Sequence, residues 1–396
     1  MSFYKDTSPW TLNGQTVKVV DCNEHLGLLV SGSDEEQLNV DEKIVKCRTS
    51  LFSLLGPAYS FKCLLSPTVQ IHLWRTCNLP RLLSGLTALP IRPAQAKALE
   101  TFHKKVLRGF LKLSRASPIP ALYFLLGELP VEATLHIRTL GLFHNIMSNP
   151  NSTVYPMVKY IMQMCSRNST TWSNHVQLLC LKYGLPPPLS LLKENLPPIS
   201  KDNWSILVKT RVTIWHEREI RKLAENNSKM KYLNVQLSGL NGNPHPALNN
   251  ILNTRDVKKL RTHLKFLTCD VLCNELLACN QPSRSPACDL CGCPIDSVEH
   301  ILVSCRALSE VRDRLYPELV NTVVQVQPNN DIIHTAHHSP NVLAQFILDC
   351  TSTNLPESYR IPAHNPEISA VFRISRDWCF AIHSERSRQL KTLTRL

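Results

Sequence analysis

Four residues near the C-terminus are spaced as the ligands of a metal ion. Cys288 and Cys291 are separated by two residues, a gap of eight residues follows, and His300 and Cys305 are separated by four. Thiolate and imidazole are ligands that tetrahedral Zn²⁺ prefers, and a Cys-x-x-Cys turn brings two sulfurs to one side of a tight knuckle. Because four protein ligands close the coordination sphere, we expect a structural zinc ion rather than one that activates water.

The residues between the ligands predict that a helix carries the histidine. From Asp296 onward, an acidic first turn and apolar residues at Val298, Ile301 and Leu302 predict a capped helix from which His300 projects. A set of buried free cysteines is the alternative, since cysteine is among the most buried residue types. The spacing favours the metal, because four ligands rarely fall into a structural-zinc pattern by chance.

Two segments of the chain resemble a known protein family. The run Ser285-Pro286-Ala-Cys288-x2-Cys291-x8-His300-Ile-Leu-x2-Cys305 resembles the zinc-binding segment near the C-terminus of non-LTR (LINE-type) retrotransposon reverse transcriptases. The phrase Leu-Tyr-x-Leu-Leu-Gly-Glu-Leu-Pro-Val-Glu-Ala-x-x-His-Ile-Arg, at residues 122–138, is similar to their helical connector. Nothing in this phrase is catalytic by its chemistry, so we interpret it as packing.

The first fifty residues contain the clearest β pattern of the sequence. Asn13-Gly14 predicts a hairpin with a type I′ turn, and residues 25–30 predict a further strand. The stretch after the catalytic palm motifs of the retrotransposon enzymes resembles this one. The resemblance implies a primer-grip-like role for Leu26 and Gly27; an ordinary β-hairpin without that role is the alternative.

The composition favours a polyanionic partner. With 396 residues the chain can hold two or three domains, and a formal charge of +13 favours nucleic acid over a membrane surface. No apolar run is long enough to span a bilayer, so we expect no membrane partner. The N-terminus lacks a signal-peptide core, and fifteen cysteines without a pairing rhythm fit a reducing compartment, cytoplasmic and/or nuclear.

Two stretches concentrate the positive charge. Residues 92–115 contain seven basic residues and one acid, and residues 201–265 contain thirteen basic residues and five acids. The apolar residues have helical spacing, which places the cations on the opposite face of each helix. Such a face could contact the regularly spaced phosphates of a duplex. The alternative is an ordinary solvent-exposed charged face. The first stretch resembles the thumb of the family. The candidate nucleic-acid contacts are Lys97, Lys104, Arg108, Lys112, Arg115, Lys209, Arg211, Arg218, Lys258, Lys259 and Arg261.

The sequence predicts a mainly α fold with a short β-hairpin remnant at the N-terminus. We divide it into a palm-end-like β segment (1–60), thumb-like helices (61–117), a helical connector with a proline-rich linker (118–200), and a basic helical region with the zinc knuckle and a helical tail (201–396). The predicted helices run from Val40 to Leu55, from Pro67 toward Leu89, from Arg92 to Arg115, from Trp204 to Asn226 with Asp202 or Asn203 as cap, from Thr254 to Cys269, and from Phe372 to Arg388.

Polymerase chemistry is not expected from this sequence. It requires paired carboxylates that hold two metal ions, which the family carries in an aromatic-x-Asp-Asp motif, and this sequence has no Asp-Asp pair. The resemblance therefore implies a zinc-containing fragment that binds RNA or an RNA–DNA hybrid without catalysis of its own. A separate polymerase chain stays open as a partner. The alternatives are a zinc-stabilised protein–protein interaction module and the product of a decayed element without selected function. Cys269, Cys273 and Cys279 leave a second metal site open.

Overall fold

The chain is mainly helical, as the sequence predicts. The computed structural model describes residues 11–16, 20–32, 34–59, 65–164, 170–188, 199–236, 239–240, 242–281, 283–332 and 339–393. Within these ranges the α-helices are α1 (Glu35–Tyr59), α2 (Pro67–Leu73), α3 (Leu79–Leu83), α4 (Pro93–Leu111), α5 (Ile119–Leu126), α6 (Val131–Met147), α7 (Val154–Met164), α8 (Trp172–Tyr183), α9 (Lys201–Glu225), α10 (Thr254–Leu267), α11 (Asn274–Asn280), α12 (Ser309–Val326), α13 (Pro340–Leu348) and α14 (Ile368–Leu393).

Two small antiparallel hairpins precede α1. Strands β1 (Thr11–Leu12) and β2 (Gln15–Thr16) are joined by Asn13 and Gly14, whose φ angles of 51° and 78° fit the predicted type I′ turn. Strands β3 (Cys22–His25) and β4 (Leu28–Ser31) form the second hairpin. The prediction of one strand over residues 25–30 is therefore wrong.

The turn of the second hairpin explains that error. Leu26 and Gly27 have φ angles of 50° and 78°, so they form the turn between β3 and β4 rather than part of a strand. A run of apolar residues predicts a strand, but it does not show where a tight turn divides that run between two strands.

The helices next to the hairpins differ from their predicted bounds. Helix α1 begins at Glu35, earlier than predicted, and continues through Gly56 and Pro57 to Tyr59. Ser66 caps α2 as predicted, because its hydroxyl accepts from the Val69 amide at 3.3 Å. The helix predicted toward Leu89 is divided: a π-helix (Trp74–Asn78) separates α2 from α3, and a 3-10 turn (Leu86–Ala88) follows.

The basic stretches form helices α4, α9 and α10. Helix α4 ends at Leu111, because Lys112 has a left-handed φ of 53°; the predicted helix to Arg115 is too long. Ser200, not Asp202 or Asn203, caps α9, and its hydroxyl accepts from the Asn203 amide at 3.3 Å. The predicted core side of α9 is confirmed, since Trp204, Val208 and Val212 are buried.

Two hydrophobic cores hold the helices together. The smaller core lies among α6, α7, α8 and α9, with Phe143 and Trp204 at its centre. The larger core draws buried residues from α1, α4, α5, α10, α13 and α14, and includes apolar residues of the 288–308 segment. It contains residues from all four predicted segments, whose boundaries stay a prediction. Within the described ranges, no helix combines the length and apolarity that a bilayer-spanning helix requires.

Helix α14 is the element on which the C-terminal half assembles. It packs along α10 and α12 and buries Phe372, Trp378, Cys379 and Ile382. The sequence predicts a basic amphipathic helix here, and the structure extends it to 26 residues. The long helix lies beside the cysteine-rich segment and the turns that hold it.

Candidate metal centre

The four predicted ligands come together in space. One ligand atom from each of Cys288, Cys291, His300 and Cys305 lies within 4.8 Å of the other three. Cys288 and Cys305 are buried, with 3% and 1% of their surface exposed, and His300 is 7% exposed. These four side chains can therefore hold one metal ion.

The distances within the cluster suit a tetrahedral ion. Zn–S and Zn–N bond lengths place two sulfurs about 3.8 Å apart and a sulfur and a nitrogen about 3.6 Å apart in a tetrahedron. The sulfurs of Cys288 and Cys305 are 3.9 Å apart, and the sulfur of Cys291 lies 3.3 Å from Nε2 of His300. The donor set and its spacing thus fit Zn²⁺ without a large movement of the backbone.

A tight turn presents the first two sulfurs. The amide of Cys288 donates to the carbonyl of Cys293 at 2.8 Å, and the amide of Gly292 donates to the carbonyl of Cys288 at 2.9 Å. Gly292 has a φ of 69°, a conformation that a residue with a side chain adopts only at a cost. The local sequence therefore fixes the knuckle.

A short helical turn presents His300 and ends at Cys305. The hydroxyl of Ser297 accepts from the His300 amide at 3.1 Å, and residues His300–Ser304 form a π-helical turn. The helix predicted from Asp296 thus begins later, with Ser297 in the capping position. Asp296 is fully buried and has another role, because its carboxylate accepts from Arg386 at 2.7 Å and from the Asn274 amide at 2.9 Å.

Burial sets the protonation of the ligands. It raises the pKa of Cys288 to about 12 and raises the pKa of Cys305, so both thiols hold their protons at neutral pH unless a cation replaces them. Burial alone would raise the pKa of Cys291, but the Cys293 amide and the neighbouring thiols lower it. Burial lowers the pKa of His300, which favours the neutral imidazole that binds metal.

A half-buried guanidinium, that of Arg312, lies beside the cluster and fits a set of thiolates. Three thiolates, one imidazole and Zn²⁺ carry a net charge of −1. Arg312, on α12, donates from Nη2 to the carbonyl of Cys305 at 2.6 Å. Its Nη1 is buried and has no hydrogen-bond partner among the described residues. A positive group held against the cysteines in this way can compensate the negative charge of a metal–thiolate centre.

The other cysteines that the structure describes do not form a second such cluster. Among the residues that the structure describes, the only group of three or more converging ligands is the one above. Cys269 and Cys273 are buried, whereas Cys279 is exposed. Burial raises the pKa of Cys269 to about 12 and that of Cys273 to about 11, as expected for packed neutral thiols.

The structure divides the candidate cations of α4 into two groups. Lys97 and Arg115 are exposed, although Arg115 lies beyond the end of the helix. Lys104, Arg108 and Lys112 are half-buried. The guanidinium of Arg108 donates to the carbonyl of Ser117 at 3.4 Å, so it supports the turn after α4.

The candidate cations of α9 and α10 are divided in the same way. Lys209, Arg211 and Lys258 are exposed, and none has a carboxylate within ion-pair distance in the described part of the chain. Arg218 is also exposed and lies 4.0 Å from Glu219. The two remaining candidates, Lys259 and Arg261, are half-buried, and Lys259 pairs with a carboxylate of α14, Asp377.

The two primer-grip-like residues lie at a hairpin tip. Leu26 is 92% exposed, and the carbonyl of Gly27 accepts from Lys43 of α1 at 2.5 Å. The primer-grip role stays a prediction.

The roles of Arg312 and Arg386 escaped the sequence analysis, because neither residue belongs to a motif and Arg386 lies 90 residues from the carboxylate it contacts. The sequence places Asp296 at the start of the predicted helix but gives no sign of its contact with Arg386.

Comparisons of this chain with protein-family models, with curated proteins and with solved structures find no match.

Proposed function

We propose that this chain is a zinc-containing, nucleic-acid-binding fragment of a LINE-type reverse transcriptase. In this proposal, the Cys288–Cys305 knuckle holds a structural zinc ion. Exposed cations on the neighbouring helices bind RNA or an RNA–DNA hybrid through the phosphates, without catalysis by this chain.

The convergence of Cys288, Cys291, His300 and Cys305 is the observation that carries the proposal. Four soft ligands lie within 4.8 Å of one another, and the half-buried guanidinium of Arg312 beside them can compensate negative charge. All four positions belong to the motif that resembles the zinc segment of the retrotransposon enzymes. A closed ligand set favours a structural ion over a catalytic one.

The proposal that this chain binds phosphates rests on its excess of positive charge and on exposed cations that lack a nearby carboxylate. The chain has a formal charge of +13, and Lys209, Arg211 and Lys258 are exposed cations with no carboxylate at ion-pair distance among the described residues. The surface of the knuckle itself is mixed, with Arg284 and Arg306 exposed alongside acids such as Asp289. We therefore assign phosphate contact to the helices and a scaffolding role to the metal.

The metal is tested by measuring the zinc content of the purified chain. We expect one zinc ion per chain by elemental analysis and native mass spectrometry, and none in Cys288→Ser. Cys180→Ser is the matched control, because Cys180 is an equally buried thiol in the other core and should leave the zinc content unchanged. Zinc absent from the unmodified chain, or retained fully by Cys288→Ser, would contradict the proposed centre.

The binding is tested by the salt dependence of affinity for a generic RNA–DNA hybrid. A triple variant, Lys209→Gln, Arg211→Gln and Lys258→Gln, should weaken binding and reduce the slope of log K against log salt by about 0.7–0.9 per lost phosphate contact. The matched control triple changes cations that are paired with carboxylates: Lys46→Gln, Lys222→Gln and Arg388→Gln.

Two outcomes would decide against phosphate contact at these helices. Equal losses in both triples would mean that only net charge matters, and a flat salt response would exclude phosphate binding. A chain that holds zinc but binds no hybrid and no RNA would favour the second candidate, a zinc-stabilised protein–protein module, since closed Cys/His sites often only support a fold.

A further inference from the structure

The metal segment depends on the C-terminal helix for its hydrogen bonds. Trp378 of α14 donates from its indole nitrogen to the carbonyl of Leu302 at 3.1 Å, and Gln389 donates to the carbonyl of Ala307 at 3.0 Å. These two carbonyls lie on either side of Cys305, within a few residues. Helix α14 therefore holds the last ligand from both directions.

A buried ion pair joins the same helix to the middle of the segment. Arg386 donates to the Asp296 carboxylate at 2.7 Å and to the carbonyl of Leu272 at 2.8 Å. Asp296 is fully buried and Arg386 is 7% exposed. A carboxylate removed from water in this way needs its partner, so Asp296 stays in place only while Arg386 does.

Asp296 in turn fixes the backbone on which the ligands sit. Its amide donates to the carbonyl of Pro286 at 2.8 Å, just before the first cysteine, and its carbonyl accepts from Glu275 at 3.3 Å. The Asp296 carboxylate also accepts from the amide of Asn274, at the start of α11. Asp296 thus joins the cysteine knuckle through its backbone amide, and joins α11 through its backbone carbonyl and its carboxylate.

The apolar side of α14 completes the arrangement. Trp378 and Ile382 are buried in the same core as Cys288, Ile301 and Leu302. The metal segment consists of short turns and has too few apolar residues to form a core alone, so it relies on packing against α14 and α13 for its burial.

We infer that α14 is part of the metal centre and that Arg386 is a positioning residue for it, acting through Asp296. Metal binding and docking of α14 then stabilise each other, because the same backbone geometry serves both. This inference rests on the proposed metal site and extends it to a helix that begins more than sixty residues beyond the last ligand.

The test compares the cobalt(II) affinity of three forms of the full chain, measured by competition with a chelator. Arg386→Met should weaken cobalt(II) binding by about 10- to 100-fold, the usual effect of removing a group that orients ligands. Arg388→Met is the matched control, because Arg388 lies on the same helix, is exposed, and forms its ion pair with Glu385 of that helix. It should bind cobalt(II) as the unmodified chain does.

A double variant guards against simple misfolding of Arg386→Met. Replacing both members of the pair, Asp296→Asn with Arg386→Met, leaves no unpaired buried charge, and circular dichroism checks that the helices are retained. If Arg386 acts through Asp296, the double variant should lose clearly less affinity than the sum of the losses in Asp296→Asn and Arg386→Met, and should still bind more weakly than the unmodified chain; losses that add in full would overturn the action through Asp296.

The outcomes separate this inference from the proposed function. An unmodified chain that binds no cobalt(II) and no zinc overturns the proposed metal centre, and the inference with it. An unmodified chain that binds metal, together with a folded Arg386→Met that binds it equally well, overturns only the role of α14.

Discussion

Two buried clusters in this molecule use histidine in opposite ways. In the Cys288–Cys305 centre, His300 points its Nε2 at a sulfur, and the donor atoms converge on one point. In the smaller core, the histidine cluster consists of His136, His175, His216 and Tyr183. There the Tyr183 hydroxyl lies 2.6 Å from Nδ1 of His136 and 2.9 Å from Nε2 of His216.

The difference lies in how the polar atoms find partners. Tyr183 links two imidazoles from α6 and α9, so those donors and acceptors satisfy each other without an ion. The thiols of the cysteine centre have mainly each other and His300 within reach, and a cation is the partner that suits all four. Convergence on one point, rather than the presence of histidine, marks the metal site.

Burial gives histidine the same protonation in both clusters, but with different consequences. Burial lowers the pKa of His216 to about 4 and lowers the pKa of His136 well below its ordinary value. The positive charge of Lys182 adds to this effect at both residues. The neutral imidazole is thus a consequence of packing in the smaller core and a requirement for ligation in the cysteine centre.

Removal of the metal should have the largest effect, and that effect should be confined to the cysteine centre. Chelation should unfold residues 288–305 locally, because structural zinc supplies folding free energy of the order of 10 kcal/mol in small sites. Amide hydrogen exchange in that segment should speed up by about a thousandfold or more, while exchange in α6 and α9 stays within about twofold. Equal acceleration in both regions would show that the clusters form one cooperative unit, and no acceleration would contradict a structural metal.

The sequence predicts the cysteine centre well and the histidine cluster not at all, for a physical reason. All four candidate ligands lie within residues 288–305, so their spacing alone brings them together. His136 and Tyr183 are 47 positions apart, and Tyr183 and His216 are 33 apart; only the packing of three helices joins them.

The same reasoning explains which parts of the fold were predicted. Apolar periodicity identified α4, α9 and α10, because those helices bury one face. It failed where a turn or a cap decides the geometry, as at Leu26 and Ser200. Asp296 was taken for a helix cap because its partner, Arg386, lies far along the chain.

The second prediction concerns acid. An unfolded His216 takes up a proton near its ordinary pKa of 6.5, whereas the folded residue resists until its pKa of about 4, because it is buried. The unfolded state therefore binds more protons in this window, and stability falls as pH drops from about 6.5 to about 4. The contribution of His216 is about 3 kcal/mol over that range.

His216→Gln isolates this contribution, since glutamine keeps a polar partner for Tyr183 and does not titrate. Denaturant unfolding at a series of pH values, with the metal chelated in every sample, should give a smaller loss of stability for the variant than for the unmodified chain. Parallel curves would show that His216 does not titrate on unfolding.

The smallest expected effect comes from the lysine beside the histidine cluster. Lys182 of α8 pairs with Glu132 at 2.9 Å and lies over the ring of Trp215 at 4.3 Å. Its charge lowers the pKa of His136, His175 and His216, after burial, so Lys182→Met should raise all three pKa values by a few tenths of a unit. The histidine resonances followed by NMR titration measure this shift.

Lys159→Met on α7 is the control, since that lysine contacts only Tyr155 among the described aromatic rings. The loss of the partly exposed ion pair itself should cost no more than about 1 kcal/mol. Zinc content should be unchanged in both variants, because neither lysine lies near the cysteine centre. A drop in zinc content in Lys182→Met alone would show that the two clusters communicate, and would remove the distinction between a cluster closed by its own hydrogen bonds and one that is completed by an ion.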